Sequence, residues 1–398
     1  MSQAQTFLLF LLILAGIAAV LRLVAHDRLP VPYQVVLASA GIALGLIPGL
    51  PLPRIQPDLI LLAFVPGLVF EAAITLDLNE LRRMAMPVGL LATLGVVVTV
   101  IGMGLLLHLL LGLSWSGAFL LGAIMAPTDP IAVVSILRRL RAPAGLAAIL
   151  EGESLFNDGT GVALFAAVSA SIASGAPSAG DAVMRFLLLA VGGVAVGIVA
   201  GLISVALVRL APGGELEILA TGLAAYGSYL GADLLHLSGV LAVVVAGLVV
   251  ARLGIRRDPM RPNTQLLGFW GLLAFVLNAI LFVLVGAALP TGRVLGMLGA
   301  VGVAWAVMMA ARLPPVYALL AASDPAARKI VWPWRHITWW GGIRGALSVA
   351  LALVVAATPG VEPSVSTIAY GVVVVSLLAQ GGLIVPLTRR LLPARATG

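Results

Sequence analysis

Four carboxylates, Glu71, Asp129, Glu153 and Asp158, sit well inside apolar runs of the chain, and Asp233 lies nearer the end of one. Against them stands one deep cation, Arg344, with Arg312 a second whose depth the sequence leaves open. An ionisable side chain at bilayer depth is costly, so each is a functional candidate by default. Surplus buried negative charge has to be neutralised, and mobile protons or metal cations are the available partners. The chemistry these residues suit is reversible binding of a small cation.

Three of the acids lie in two segments that argue for an interrupted helix or a cation site. The first segment reads Gly122-Ala-Ile-Met-Ala-Pro-Thr-Asp-Pro-Ile131. Pro127 and Pro130 each remove an N–H and clash one turn back. The backbone near Thr128 is therefore expected to open about 18 Å into its span, close to the midplane. Irregular backbone survives there only where it lines a cavity or is buried in protein. Asp129 can cap the freed N–H groups, which a plain proline kink would not need. The second segment is Glu151-Gly-Glu-Ser-Leu-Phe-Asn-Asp158. Glu153 and Asn157 share one helix face, and Ser154 and Asp158 share the neighbouring one. Asp158 falls about 21 Å along its span. A carboxylate with hydroxyl and carbonyl oxygens nearby is hard-cation chemistry. The rival reading is a buried acid satisfied by hydrogen bonds. Glu151 lies shallower and suits a vestibule.

Two further motifs belong with these. In Trp339-Trp-Gly-Gly-Ile-Arg-Gly345, three glycines weaken the helix around one arginine and admit close backbone approach. A buried arginine needs a partner that fits its fork, and Glu153 is the first choice for Arg344. The alternative is that Arg344 snorkels to the interface. Glu71 lies about 20 Å into its own span, where it lines a cytoplasmic funnel, helps to hold the ion site or makes a structural hydrogen bond.

The elements that must position these residues follow from composition. Of 398 residues, 61% are hydrophobic and 10% charged, against about 25% charged in a soluble domain. This excludes a soluble enzyme, a disordered tail and a disulfide scaffold, and leaves an all-α polytopic membrane protein. With no cysteine, thiolate metal sites are excluded. The net charge of +7 is explained by basic loops on one membrane face rather than by nucleic-acid binding. Apolar runs predict thirteen spans: 5–24, 33–50, 58–76, 86–112, 116–137, 144–173, 183–209, 215–233, 237–253, 265–289, 293–322, 336–357 and 364–388. They form a single transmembrane domain over 1–398, with no appended soluble domain. With Met1 outside, only Arg54, Arg185 and Arg293 fall on the outer side, so the N-terminus is expected outside and the C-terminus in the cytoplasm. Glycines at 41, 45 and 49, and at 193, 197 and 201, suit close helix packing in lipid. Spans five and twelve are seven apart, hence antiparallel, and both are interrupted. This suggests inverted six-helix repeats at about 5–173 and 215–388, with 183–209 connecting them.

At these residues the sequence resembles the monovalent cation:proton antiporter-1 family of sodium/proton exchangers. The motifs that carry the likeness are Phe70-Glu71-Ala72, Thr128-Asp129-Pro130, Glu151 to Asp158 and Gly341 to Gly345. The resemblance implies exchange of Na⁺ or Li⁺ for H⁺ in the cytoplasmic membrane, pH homeostasis, and a homodimer with crossed discontinuous helices. It implies Asp158 as the ion- and proton-binding carboxylate, with oxygens from Thr128, Ser154 and Asn157. Glu153 and Arg344 would form a structural ion pair, and Asp129 would brace the crossing. Asn157-Asp158 resembles the pair of electroneutral members, so one proton for one cation is expected, with no enzyme activity and no cofactor. A K⁺/H⁺ exchanger is the alternative; a channel is disfavoured by the lack of a TVGYG-like filter. An intramembrane hydrolase is disfavoured by the lack of His-Glu-x-x-His and Gly-x-Ser-x-Gly motifs.

Overall fold

A computed structural model of the chain describes residues 16, 32–47, 57–173, 179–210, 214–254, 264–324, 330–356, 358 and 361–392. The first predicted span lies outside these residues apart from Gly16, as does Gly49 of the first glycine series. The regular structure described is entirely helical. We number the main helices α1 (Tyr33–Gly45), α2 (Pro57–Thr75), α3 (Ala85–Leu111), α4 (Trp115–Ile124) and α5 (Ile131–Arg139). Then come α6 (Ala144–Ala173), α7 (Ala179–Leu210), α8 (215–234), α9 (Gly239–Leu253) and α10 (Thr264–Ala287). The last are α11 (Leu298–Ala322), α12 (Trp332–Trp340), α13 (Ala346–Ala356) and α14 (Pro363–Leu391).

Seven of the described helices, α2, α3, α6, α7, α10, α11 and α14, are long and apolar enough to cross a membrane. Local chemistry sets several ends. Ser114 Oγ accepts the Gly117 N–H at 3.1 Å and caps α4, satisfying a donor the helix cannot use itself. Gly112 closes α3 at φ 65°, a left-handed position where a side chain is disfavoured. The predicted eleventh span, 293–322, is divided by a turn at Met297 into the short helix Thr291–Gly296 and α11. The twelfth starts earlier than predicted, because Pro333 suits the first turn of α12 and extends it back to Trp332.

Both interruptions are present. Between α4 and α5, residues 127–130 leave the helical path, as the two prolines require. Between α12 and α13, residues 342–345 do the same. The two breaks meet, since the Asp129 N–H donates to the Ile343 carbonyl at 2.7 Å. The glycine series pack as expected for their described members. A Cβ on Gly45 would lie 2.7 Å from the Ala287 carbonyl oxygen of α10. One on Gly201 would lie 2.8 Å from the Val249 Cβ of α9. In contrast, α7 leaves most of its apolar surface uncovered by the chain.

Candidate ion-binding site

A cavity of about 330 Å³ opens between α2, the first break, α6, α10 and the start of α13. It has room for roughly ten waters at the volume water occupies in the liquid. Glu71, Thr128, Asp129, Ser154, Asp158 and Asn278 line it, and Arg138 and Glu151 stand at its edge. Arg138 Nη2 and Glu151 Oε1 are 2.6 Å apart, with the arginine largely exposed, which marks this edge as the mouth. Asp158 thus borders the cavity rather than hydrocarbon. Its Oδ1 is buried and has no hydrogen-bond partner among the described residues. Such an oxygen is destabilised unless a proton, water or cation reaches it.

The first break is fastened to α6 through Thr128. Asn157 Oδ1 accepts the Thr128 N–H at 3.3 Å, and Asn157 Nδ2 donates to Thr128 Oγ1 at 2.9 Å. Ser154 Oγ donates to the Thr128 carbonyl. Asn157 is wholly buried and does not line the cavity. Both ends of its carboxamide are engaged in holding Thr128. Ser154 and Thr128 do reach the cavity.

The helix ends at the first break are matched by charge. Arg344 is 1% exposed. Its Nη1 donates to the carbonyls of Ala126 and Pro127 at 2.8 and 3.0 Å. A cation there offsets the negative C-terminal end of α4. Asp129 Oδ1 accepts the Ile131 N–H at 3.0 Å and so offsets the positive start of α5.

The predicted Glu153–Arg344 pair is not formed. Glu153 Oε1 lies 2.6 Å from Nη2 of Arg312, both side chains being buried. Arg312 Nη2 also approaches the Thr338 carbonyl, at 3.3 Å, near the end of α12. Two features explain the exchange of partners. The carbonyls of Ala126 and Pro127, just past the end of α4, draw Arg344 away, and Gly342 presents no side chain where the Arg312 guanidinium passes. Arg344 is fixed from behind by α14, for Ser376 Oγ accepts its N–H at 3.0 Å. Ser376 Oγ in turn donates to Gln380 Oε1 at 2.5 Å, and Gln380 Nε2 donates to the Trp340 carbonyl at 2.7 Å.

The polar contacts fall into two sets. Thr160 Oγ1 donates to the Ala92 carbonyl at 2.8 Å, tying α6 to α3, and Trp305 Nε1 donates to Gln380 Oε1 at 3.3 Å, tying α11 to α14. Across the cavity, Tyr226 Oη donates to the Ala63 carbonyl at 3.0 Å and Trp270 Nε1 to Thr221 Oγ1 at 3.0 Å. These join α2, α8 and α10. None of the side-chain bonds named in this subsection crosses from one set to the other.

Sequence reasoning passed over Arg312 as a partner, Gln380 as a brace and Asn278 as a lining group. For Asn278 the signal was present: apart from the Trp270 indole, it is the only hydrogen-bonding side chain between Leu266 and Ala287.

A bundle of membrane-length helices, broken twice where a buried carboxylate oxygen meets a cavity, is the architecture of a helical membrane transporter. The sequence profile described as sodium/hydrogen exchanger, transmembrane, matches residues 12–390, and the chain belongs to that family. It is 33% identical over 384 residues to the Na(+)/H(+) antiporter ApNhaP of Aphanothece halophytica, covering 95% of this chain and 73% of that protein. It is 37% identical over 341 residues to the Na(+)/H(+) antiporter NhaP of Pseudomonas aeruginosa, covering 82% and 80%. In fold it matches the sodium proton antiporter MjNhaP1 from Methanocaldococcus jannaschii with a TM-score of 0.79 at 22% identity, over 98% of this chain and 100% of that one.

Proposed function

We propose that the protein exchanges Na⁺, or Li⁺, for H⁺ across the cytoplasmic membrane. The observation that carries this reading is the buried, unpartnered Asp158 oxygen beside a cavity at two crossed breaks. A carboxylate there holds a proton or a cation, and one guest excludes the other. The empty, ionised site crosses poorly because a bare charge in the bilayer is costly. Only loaded forms move, which couples the two fluxes. Thr128 and Ser154 supply further oxygens, and Asn157 holds Thr128 in register. Asp129 and Arg344 satisfy the helix ends that the break exposes, and Glu71 conducts ions from the mouth.

With a neutral Asn157 beside Asp158, the moving group changes charge by one, so exchange is one for one and electroneutral. Alternating access follows from sliding α2, α8 and α10 past the helices that hold the breaks. The assembly is a homodimer of thirteen-span protomers built from inverted repeats, with the mouth at Arg138 and Glu151 on the cytoplasmic side, N-terminus outside and C-terminus inside. A K⁺/H⁺ exchanger of the same fold remains the second reading, since ion size is set by oxygen placement.

The test is proton/cation exchange in proteoliposomes with Li⁺, Na⁺ and K⁺ at several pH values. Asp158→Asn is expected to abolish exchange while leaving a folded protein; persistent Na⁺/H⁺ exchange in that variant removes Asp158 from the role. An imposed voltage is expected to leave equilibrium Na⁺ accumulation unchanged, and a clear voltage effect refutes electroneutrality.

A further inference from the structure

We infer that Asn278 is a cation ligand contributed by the opposite wall of the cavity, and that it sets which ion reaches Asp158. The inference deepens the exchange reading and rests on it. Asn278 lies 14 residues into α10, about 21 Å along at 1.5 Å per residue, near the middle of the helix. It is half-buried, lines the cavity and makes no hydrogen bond among the described residues. A carboxamide in mid-membrane with neither its donors nor its acceptor engaged is unfavourable against lipid or dry protein. It is favourable only if the cavity supplies water or an ion. Nothing in the packing of α10 calls for an amide here: the neighbouring positions Leu277, Ala279, Ile280 and Leu281 are apolar.

The placement is what gives the group a task. Asp158, Thr128 and Ser154 belong to the helices fastened around the first break, whereas Asn278 belongs to the set of α2, α8 and α10. A cation passing from the mouth to Asp158 exchanges water for protein oxygens, and hard cations favour carbonyl and carboxylate oxygen. The carbonyl oxygen of Asn278 is such a ligand without adding charge, so it can rank ions by size while leaving proton binding at Asp158 alone.

The experiment measures half-saturating Na⁺, Li⁺ and K⁺ for the full-length protein in proteoliposomes, comparing Asn278→Ala, Asn278→Leu and Asn278→Gln with the parent and with Asp158→Asn. Losing one oxygen ligand is expected to raise half-saturating Na⁺ about five- to tenfold. The Li⁺:Na⁺:K⁺ ranking is expected to change, with the maximal rate and the proton dependence kept. Asn278→Gln, which retains an amide, is expected to restore part of the affinity. Unchanged affinity and ranking in Asn278→Ala and Asn278→Leu overturn the inference, as does a uniform loss of maximal rate with ranking intact, which a merely structural role would give. Should Asp158→Asn still exchange ions, the exchange reading fails instead, so the two failures are told apart.

Discussion

The two breaks in the helical bundle solve one problem with opposite chemistry. The first, at residues 127–130, is made by prolines, carries an acid and opens onto the cavity, the wet side. The second, at residues 342–345, is made by glycines, carries an arginine and is buried throughout. Proline suits the wet break because it removes N–H donors while water and α6 serve the rest. Glycine suits the dry one because two chains and a guanidinium must approach closely. The charges then trade places. The arginine of the dry break serves carbonyls leading into the wet one, and Arg312 together with Gln380 serves the last carbonyls of α12, leading into the dry one. The wet break thus faces the cavity, and the dry break holds it in position.

That division can be broken by mutation, and the dry side should give the largest changes in stability. Glu153→Gln leaves Arg312 buried and uncompensated, and removing one partner of a buried pair costs about 3–5 kcal/mol. Thermal unfolding in detergent should show a large loss, partly recovered when Arg312→Gln is added. Arg344→Gln strips the cation from two carbonyls and should cost about 2–3 kcal/mol by the same measurement. Because its target is the wet break, it should also lower the exchange rate, which Glu153→Gln with Arg312→Gln should do less. Gln380→Leu should cost about 1–3 kcal/mol through the unpaired Trp340 carbonyl, with half-saturating Na⁺ near the parental value. The smallest stability change, about 1 kcal/mol, is expected for Ser154→Ala. There the loss should appear in exchange, read as a raised half-saturating Na⁺. If Ser154→Ala unfolds the protein, or if Glu153→Gln changes only ion affinity, the contrast between the two breaks is wrong.

Much of this was legible in the residues. Buried charges, paired prolines and clustered glycines have few physical explanations in an apolar chain, so the breaks and the acids at 71, 129 and 158 announced themselves. Partner choice was not legible. Both arginines fit Glu153 by type, and only the path left open by Gly342 and the pull of the Ala126 and Pro127 carbonyls decide between them. Asn157 reads as one more oxygen beside Asp158, yet one position along the helix turns it away from the cavity and onto Thr128. Helix ends shifted where a proline fits a first turn, as at Pro333, or where a turn such as Met297 carries no composition signal.

The crossing of the two breaks has a spacing defined by an atom that is absent. A Cβ placed on Gly345 would lie 2.6 Å from the Cβ of Asp129, too near to be accommodated without movement. The Asp129 N–H and the Ile343 carbonyl bolt the strands together beside it. A single methyl group at 345 would therefore act as a shim, prying the segments apart and widening the aperture beside Asp158. The width of the cavity beside Asp129 is thus written in a hydrogen atom, at Gly345.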